Sequence, residues 1–291
     1  MEKVSIMNKR RRVSDDILRA LIYLSAFLAV GLLVGIICYV FYRGAKTVTL
    51  SFLVTVQIPT KGIMGIAGNI VNTLYIVVVT LLVATPIGIG GAIYLNEYAK
   101  PGKFVSLIEF TIETLTGIPS IIFGLFGNVF FGEVLKLRYS ILTGALTLTI
   151  MVLPLIARNT QEALRTVPDS YRSGALGIGA TKWYMIRTIL LPSAMPGILT
   201  GVILAIGRIV GESAALLFTA GSGYYLPKGG MGLLRKLFEP GGTMTIELYL
   251  QMAKGKYDVA FGIACVLLVL VLFMNFLTKY LASRLNVENR K

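Results

Sequence analysis

The sequence predicts an all-α integral membrane protein of six transmembrane helices, and three observations carry that expectation. Hydrophobic residues make up 55% of the chain and charged residues only 14%, well below the roughly one quarter usual in soluble domains. The apolar residues fall in runs long enough, at about 1.5 Å per residue, to cross a hydrocarbon layer of about 30 Å. Between the fourth and fifth runs lies a polar segment, about residues 160–193, punctuated by Gly177 and Gly179 and closed by Ile189, Leu191 and Pro192. Lipid cannot accommodate such a segment, so it is expected outside the membrane as a docking element for something soluble.

The first run, Ile17–Tyr42, follows the basic cluster Lys9, Arg10, Arg11 and Arg12 in an N-terminal segment, 1–16. That order resembles the start of a signal peptide. The apolar stretch exceeds a cleaved one, however, and no small-residue cleavage site follows, so it is expected to remain as an anchor. The further spans are Gly68–Leu95, Val105–Phe131, Ser140–Ala157, Ala194–Gly221 and Val259–Leu281. Residues 68–281 thus form the main transmembrane domain and 282–291 a short tail.

Orientation follows from the basic residues. With the N-terminus inside, 17 Lys and Arg fall on the inner side against 10 outside, and Arg208 lies within a span. This bias predicts cytoplasmic N- and C-termini in a cell-membrane protein and places the 160–193 loop in the cytoplasm. The net charge of +14 is accounted for by the same bias and by anionic lipid head groups, so no nucleic-acid partner is implied. With no His in the chain, Ser-His and Cys-His catalysis and His-ligated metals are excluded. Cys38 and Cys265 both fall in predicted spans, where single thiols pack as small apolar groups, and no metal site is expected. No Gly-x4-Gly-Lys-Ser/Thr loop is present, so the chain is expected to bind no nucleotide cofactor in that manner and to be no enzyme itself.

Within the loop, Pro168 and Asp169 open a short helix, with Asp169 at the positive end of its dipole, and Gly177 and Gly179 close it before a second helix begins. The spacing resembles the cytoplasmic coupling loop of ABC-importer permeases: Glu-Ala-Ala, three residues, Gly, nine residues, Ile-x-Leu-Pro. The Gly falls on Gly179, the Ile on Ile189 and the Leu-Pro on Leu191 and Pro192, while Ser173, Gly174 and Ala175 occupy the Glu-Ala-Ala positions. Because Ser173 replaces the Glu, the resemblance implies a docking helix but no salt bridge from that position.

Two further stretches, Thr116–Gly127 (TGIPSIIFGLFG) and Arg208–Thr219 (RIVGESAALLFT), are similar to the corresponding segments of phosphate-specific ABC-importer permeases of the PstA type. The resemblance runs from about Asn69 to the C-terminus and implies an ABC type I importer permease fold. It also implies partners: a second, PstC-like permease, two ATP-binding subunits that use ATP and Mg²⁺, and an extracytoplasmic phosphate-binding protein.

Inside the predicted spans, Arg208 is the deepest basic residue, and an Arg at such a depth costs ~2.5–3.5 kcal/mol on insertion scales unless compensated. Glu212 follows at i,i+4 and is expected on the same helical face, behind the small residues Gly197, Gly201 and Ala205. Two readings stand: an intrahelical ion pair that only neutralises both groups, or a guanidinium that offers its donor fork to a passing oxyanion. In the third span Thr116, Ser120, Gly124 and Gly127 form a stripe at spacings of four, four and three, with Pro119 placed to kink it. It serves either close packing or a hydroxyl-lined path. Glu109 is expected to reach interfacial water; Glu113, deeper, is either a helix-to-helix partner or a countercharge to Arg208. Met244, Leu248, Tyr249 and Met252 predict a short amphipathic helix on the outer side.

The functional expectation is a permease subunit of an ATP-driven phosphate importer, forming half of the translocation path. The alternatives are an importer of another oxyanion, such as sulfate or molybdate, and an ATP-independent anion transporter.

Overall fold

The computed structural model describes residues 13–58, 62–227 and 232–285. The basic cluster Lys9–Arg12 and the tail beyond Leu285 lie outside the described residues. Five helical stretches are long and apolar enough to cross a membrane: residues 15–44, 67–98, 141–165, 182–211 and 257–280. A sixth crossing requires two helices that meet at 104°. The helices are α1 Val13–Gly44, α2 Leu50–Val54, α3 Ala67–Ile93, α4 Lys103–Gly117, α5 Ser120–Gly127, α6 Ile141–Arg165, α7 Asp169–Gly177, α8 Lys182–Met185, α9 Leu191–Gly211, α10 Ala214–Thr219, α11 Gly232–Arg235, α12 Met244–Ala253 and α13 Tyr257–Leu285. A small hairpin departs from the all-α expectation. Its strands β1, Val56–Ile58, and β2, Ile63–Ile66, pair antiparallel with Val56 opposite Ile66, as their β-branched residues favour.

The helix α6 is the axis of the fold. Ile141, Leu148, Met151, Val152 and Ile156 along it are fully buried, and four neighbouring helices approach it closely at small residues. A Cβ added to Gly88 of α3 would lie 2.8 Å from the Ile156 side chain; one added to Gly201 of α9 would lie 2.6 Å from that of Asn159. Gly127 of α5 abuts Thr147, and Gly144 of α6 itself abuts Leu216 and Ala220 around α10. Lipid chains are as apolar as leucine, so burial adds little within a bilayer and van der Waals contact of this kind holds the bundle together. The hydroxyls are satisfied locally: Thr147, Thr149 and Thr160 each donate to the carbonyl four residues earlier, and Thr80 of α3 donates to Ala145 of α6.

Two predicted spans are interrupted. The third breaks at Ile118–Pro119, both extended, because proline disfavours helix at the residue before it and denies the ring position a donor. The predicted kink at Pro119 is therefore observed, but as a full break. The fifth was expected as one helix over Ala194–Gly221. Instead α9 stops at Gly211, Glu212 is extended, and α10 begins at Ala214. At its other end the helical stretch starts earlier, at Lys182, running through α8 and the π-helical turn Ile186–Leu190 into α9. The fourth span likewise extends past Ala157 to Arg165.

The outer helix expected from Met244, Leu248, Tyr249 and Met252 is α12. Met244 is buried, and Leu248 packs with Phe52, Ile66 and Ile263. Tyr249 and Met252 remain exposed. Asn69 and Asn72 at the start of α3 donate to the Gly242 carbonyl, tying the loop before α12 to the bundle.

Candidate coupling surface and interrupted-helix pair

Two regions collect the residues singled out from the sequence. The first is the loop between α6 and α9. Pro168 sets the extended entry to α7, Asp169 lies in the first turn, and Gly177 is its last residue. Gly179 then takes φ +83°, a left-handed conformation open to glycine and strained for other side chains. Thr181 caps α8 by accepting the Tyr184 N–H at 3.3 Å. The short helix, glycine break and second helix expected from the sequence are all present.

This hairpin is held from below by a small core of its own. Ala175, 4% exposed, packs with Leu164, Val167, Met185, Ile186 and Leu190, and Ile189 and Leu191 border the same cluster. These motif positions are thus the seat of the hairpin. Ser173, Gly174 and Gly177 are exposed, and Pro192 is half-buried at the start of α9. The outward face consists of residues the sequence reading passed over: Tyr171, Leu176, Ile178, Trp183 and Tyr184. Ile178 is 86% exposed. It lines, with Gly179, Ala180, Thr181 and Tyr184, a shallow recess of about 340 Å³. Contiguous exposed apolar residues of this kind mark an interaction surface, with protein or with membrane. Their signal in the sequence was the unexplained run of Ile178, Trp183 and Tyr184 around the glycine.

The second region joins the two interruptions. Gly124 of α5 faces Ala215 of α10, where an added Cβ would lie 2.8 Å from the Ala215 Cα. The two short helices therefore pack as a pair. Ile121, Ser213, Ala214, Leu217 and Phe218 border a groove of about 220 Å³ beside them, closed by Ile246 and Tyr249 of α12.

The geometry corrects two expectations and decides between the alternatives left open at a third. Arg208 and Glu212 do not share a helical face, because α9 ends between them. The Glu212 carboxylate instead accepts the Ala215 N–H at 3.1 Å, and its carbonyl accepts the Thr245 hydroxyl. Arg208 lies in the last turn of α9, where the helix dipole favours a cation, is half-buried, and has no ion pair or hydrogen bond among the described residues. Thr116 and Ser120 do not form one stripe with the glycines. Thr116 is exposed at the end of α4 and donates to the Glu113 carbonyl; Ser120 opens α5 beyond the break. Glu113 is no countercharge to Arg208: it accepts from Arg158 of α6 at 3.3 Å, while Glu109 accepts from Arg165 at 3.2 Å. The helix-to-helix alternative for Glu113 is the one observed.

The described residues form an interrupted-helix bundle of membrane-spanning length with an exposed apolar hairpin projecting from it. The family comparison agrees. Residues 84–287 match the binding-protein-dependent transport system inner membrane component family, and the chain belongs to it. It is the permease subunit of an ABC importer, a membrane component of a family that works with ATPase and substrate-binding partners.

Among relatives, the chain is 33% identical over 284 residues to a probable ABC transporter permease protein, YqgI, of Bacillus subtilis, covering 94% of this chain and 96% of that one. It is 31% identical over 251 residues to the phosphate transport system permease protein PstA of Xylella fastidiosa, covering 85% of each. The PstA-type resemblance read from the sequence is borne out. Among solved structures, a bacterial alginate ABC transporter superposes with a TM-score of 0.67 over 95% of this chain and 99% of that one, at 16% identity. The MetNI methionine transporter gives 0.54 over 78% and 96%, at 20% identity. Both share the fold.

Proposed function

We propose that the chain imports inorganic phosphate as the PstA-type half of an ATP-driven importer. The single observation behind the coupling half of this proposal is the exposed apolar face of Leu176, Ile178, Trp183 and Tyr184 on a hairpin whose base is rigidly seated. That surface is assigned to an ATPase subunit. ATP and Mg²⁺ belong to the ATPase, one copy docking here and another on a second, PstC-like permease. The Lys and Arg distribution supports a cytoplasmic hairpin with both termini on the same side.

Support for phosphate comes from the PstA-named relatives and from the wording of Thr116–Gly127 and Arg208–Thr219. The fold itself is shared with importers of methionine and alginate and does not select the solute. In this proposal Arg208 supplies a planar donor fork beside the α5–α10 seam. With no partner among the described residues, those donors are left for an oxyanion delivered by an extracytoplasmic binding protein.

The test is purification of the tagged chain from cells expressing its operon neighbours, followed by phosphate uptake in proteoliposomes. Association of an ATPase and a second permease, with ATP-dependent uptake of phosphate that excess sulfate or molybdate does not inhibit, is the expected result. Inhibition by sulfate or molybdate at equal concentration would overturn the solute assignment; uptake without ATP would overturn the class of mechanism.

A further inference from the structure

We infer that Arg172, clamped by Glu97, is the positioning residue through which movement of the hairpin reaches the membrane helices; this rests on the coupling role proposed above for the hairpin. The two residues are 75 positions apart and neither belongs to the motif.

Every donor of the Arg172 guanidinium is engaged. Nε donates to Glu97 Oε1 at 3.3 Å, and Nη2 to the same oxygen at 3.0 Å and to the Leu164 carbonyl at 2.9 Å. Nη1 donates to the Val167 carbonyl at 2.9 Å and to Asp169 Oδ1 at 3.0 Å. One side chain therefore ties together the C-terminal end of α6, the first turn of α7 and the inner end of α3. The Arg172 side chain is 19% exposed and that of Glu97 4%. Solvent screens such a pair far less than a surface one, and loss of either partner strands a buried charge. Asn96 donates to the same Glu97 oxygen at 2.7 Å, which fixes the carboxylate in place.

Glu97 lies in the π-helical turn Tyr94–Tyr98 that ends α3. The same turn makes a second attachment: the Lys182 ammonium sits over the Tyr98 ring, 4.9 Å from its centroid. Arg172 precedes Gly179 and Lys182 follows it, so one turn of α3 grips both arms of the hairpin. The tip, Ile178–Gly179, is free; the base is fixed on each side. A push on the tip is then delivered to α3, which lies along α6 through the Gly88–Ile156 contact and thereby moves with the core of the bundle. Single π turns inside α-helices are found frequently at functional sites. Lysine cannot replace Arg172, because three donors on a tetrahedral nitrogen cannot reach acceptors arrayed in one plane.

A support role and a transmission role differ in what they change. If the clamp only supports the hairpin, its loss lowers ATPase docking and transport together. If it transmits motion, docking persists while hydrolysis runs ahead of transport. The experiment measures ATPase copurification, ATP hydrolysis and phosphate uptake for the wild-type importer and for Glu97→Gln and Arg172→Lys in proteoliposomes. The ATPase should copurify at the wild-type level, and ATP hydrolysed per phosphate imported should rise about fivefold, the lower end of typical coupling energies. The exchange Glu97→Arg with Arg172→Glu should recover part of the loss. An unchanged ratio in both single variants overturns the inference while leaving the docking role intact; a wild-type chain that brings down no ATPase overturns both. If either variant lowers the yield of assembled complex, Lys182→Gln, an exposed position outside any ion pair, provides the same readout: a raised ratio supports transmission and an unchanged one refutes it.

Discussion

The Glu212 carboxylate accepts the Ala215 N–H at 3.1 Å, satisfying one open backbone donor in the first turn of the short helix α10, and leaves Arg208, four residues earlier, without a partner among the described residues. Substitutions at the two positions should therefore act independently. Glu212→Ala is expected to cost about 1–2 kcal/mol of stability, the size of one hydrogen bond accepted by a carboxylate, with a moderate drop in uptake. Arg208→Lys should leave stability unchanged and sharply reduce uptake, because the planar fork is lost. In a double-mutant cycle on thermal stability, Arg208→Leu with Glu212→Leu should be additive within about 0.5 kcal/mol. A larger coupling, or near-normal uptake in the double variant, would contradict this assignment.

Motif and surface positions of the hairpin should separate in the same way. Ala175→Leu overfills the cluster of Val167, Met185 and Leu190 and is expected to destabilise by about 1–3 kcal/mol, read as a lower melting temperature in detergent. Ile178→Asp alters a side chain that is 86% exposed and outside the buried cluster. It should leave melting unchanged and abolish ATPase copurification. Ile178→Asp with full copurification would move the docking face elsewhere.

Lys236 offers a pH-dependent test in the loop between α10 and α12. Its side chain is buried, and its ammonium is 3.6 Å from Glu239 with no hydrogen bond. Burial lowers its pKa below the ordinary lysine value of 10.5, outweighing the opposing pull of Glu239. The folded state thus binds this proton less well than the unfolded state, so stability rises with pH from the lowered pKa up to 10.5. Lys236→Met should raise the melting temperature at neutral pH, and its advantage over wild type should shrink as pH approaches the ordinary lysine value. An advantage constant across that range would show that packing, not the charge, is responsible.

Topology is open to reporter fusions. Fusions after Lys103 and after Arg187 should both report the cytoplasm, and one after Lys236 the opposite side, as the basic-residue bias requires. A cytoplasmic signal after Lys236 would contradict the arrangement.

The sequence revealed the helical architecture and the hairpin because both rest on local signals: run length, proline, and glycine at a left-handed turn. Residues 15–44 and 257–280 correspond closely to their predicted spans. The helix end at Gly211 was hidden because the apolar, helix-compatible residues Ile209, Val210 and Ala214–Phe218 flank it on both sides, and only the docking of Gly124 against Ala215 reveals why the chain turns. Arg172 and Glu97 were invisible for a different reason. Each is an ordinary charge near a predicted boundary, and their pairing across 75 residues is set by how α3 packs on α6. The pairs Glu113–Arg158 and Glu109–Arg165 escaped in the same way.

The two interruptions at Ile118–Pro119 and Glu212–Ser213 carry a consequence for permeability. A helix start leaves its first N–H groups without intrahelical acceptors, and hydrocarbon supplies none. Glu212 meets one such need at Ala215 and the Pro119 carbonyl another at Ile122; the remaining N–H groups opening α5 depend on neighbouring protein or on water. Water supplying those acceptors would also be a route for protons and small ions. An importer with such water has to keep it discontinuous across the bilayer, and substitutions that widen the Gly124–Ala215 contact should then dissipate the membrane potential before they abolish transport.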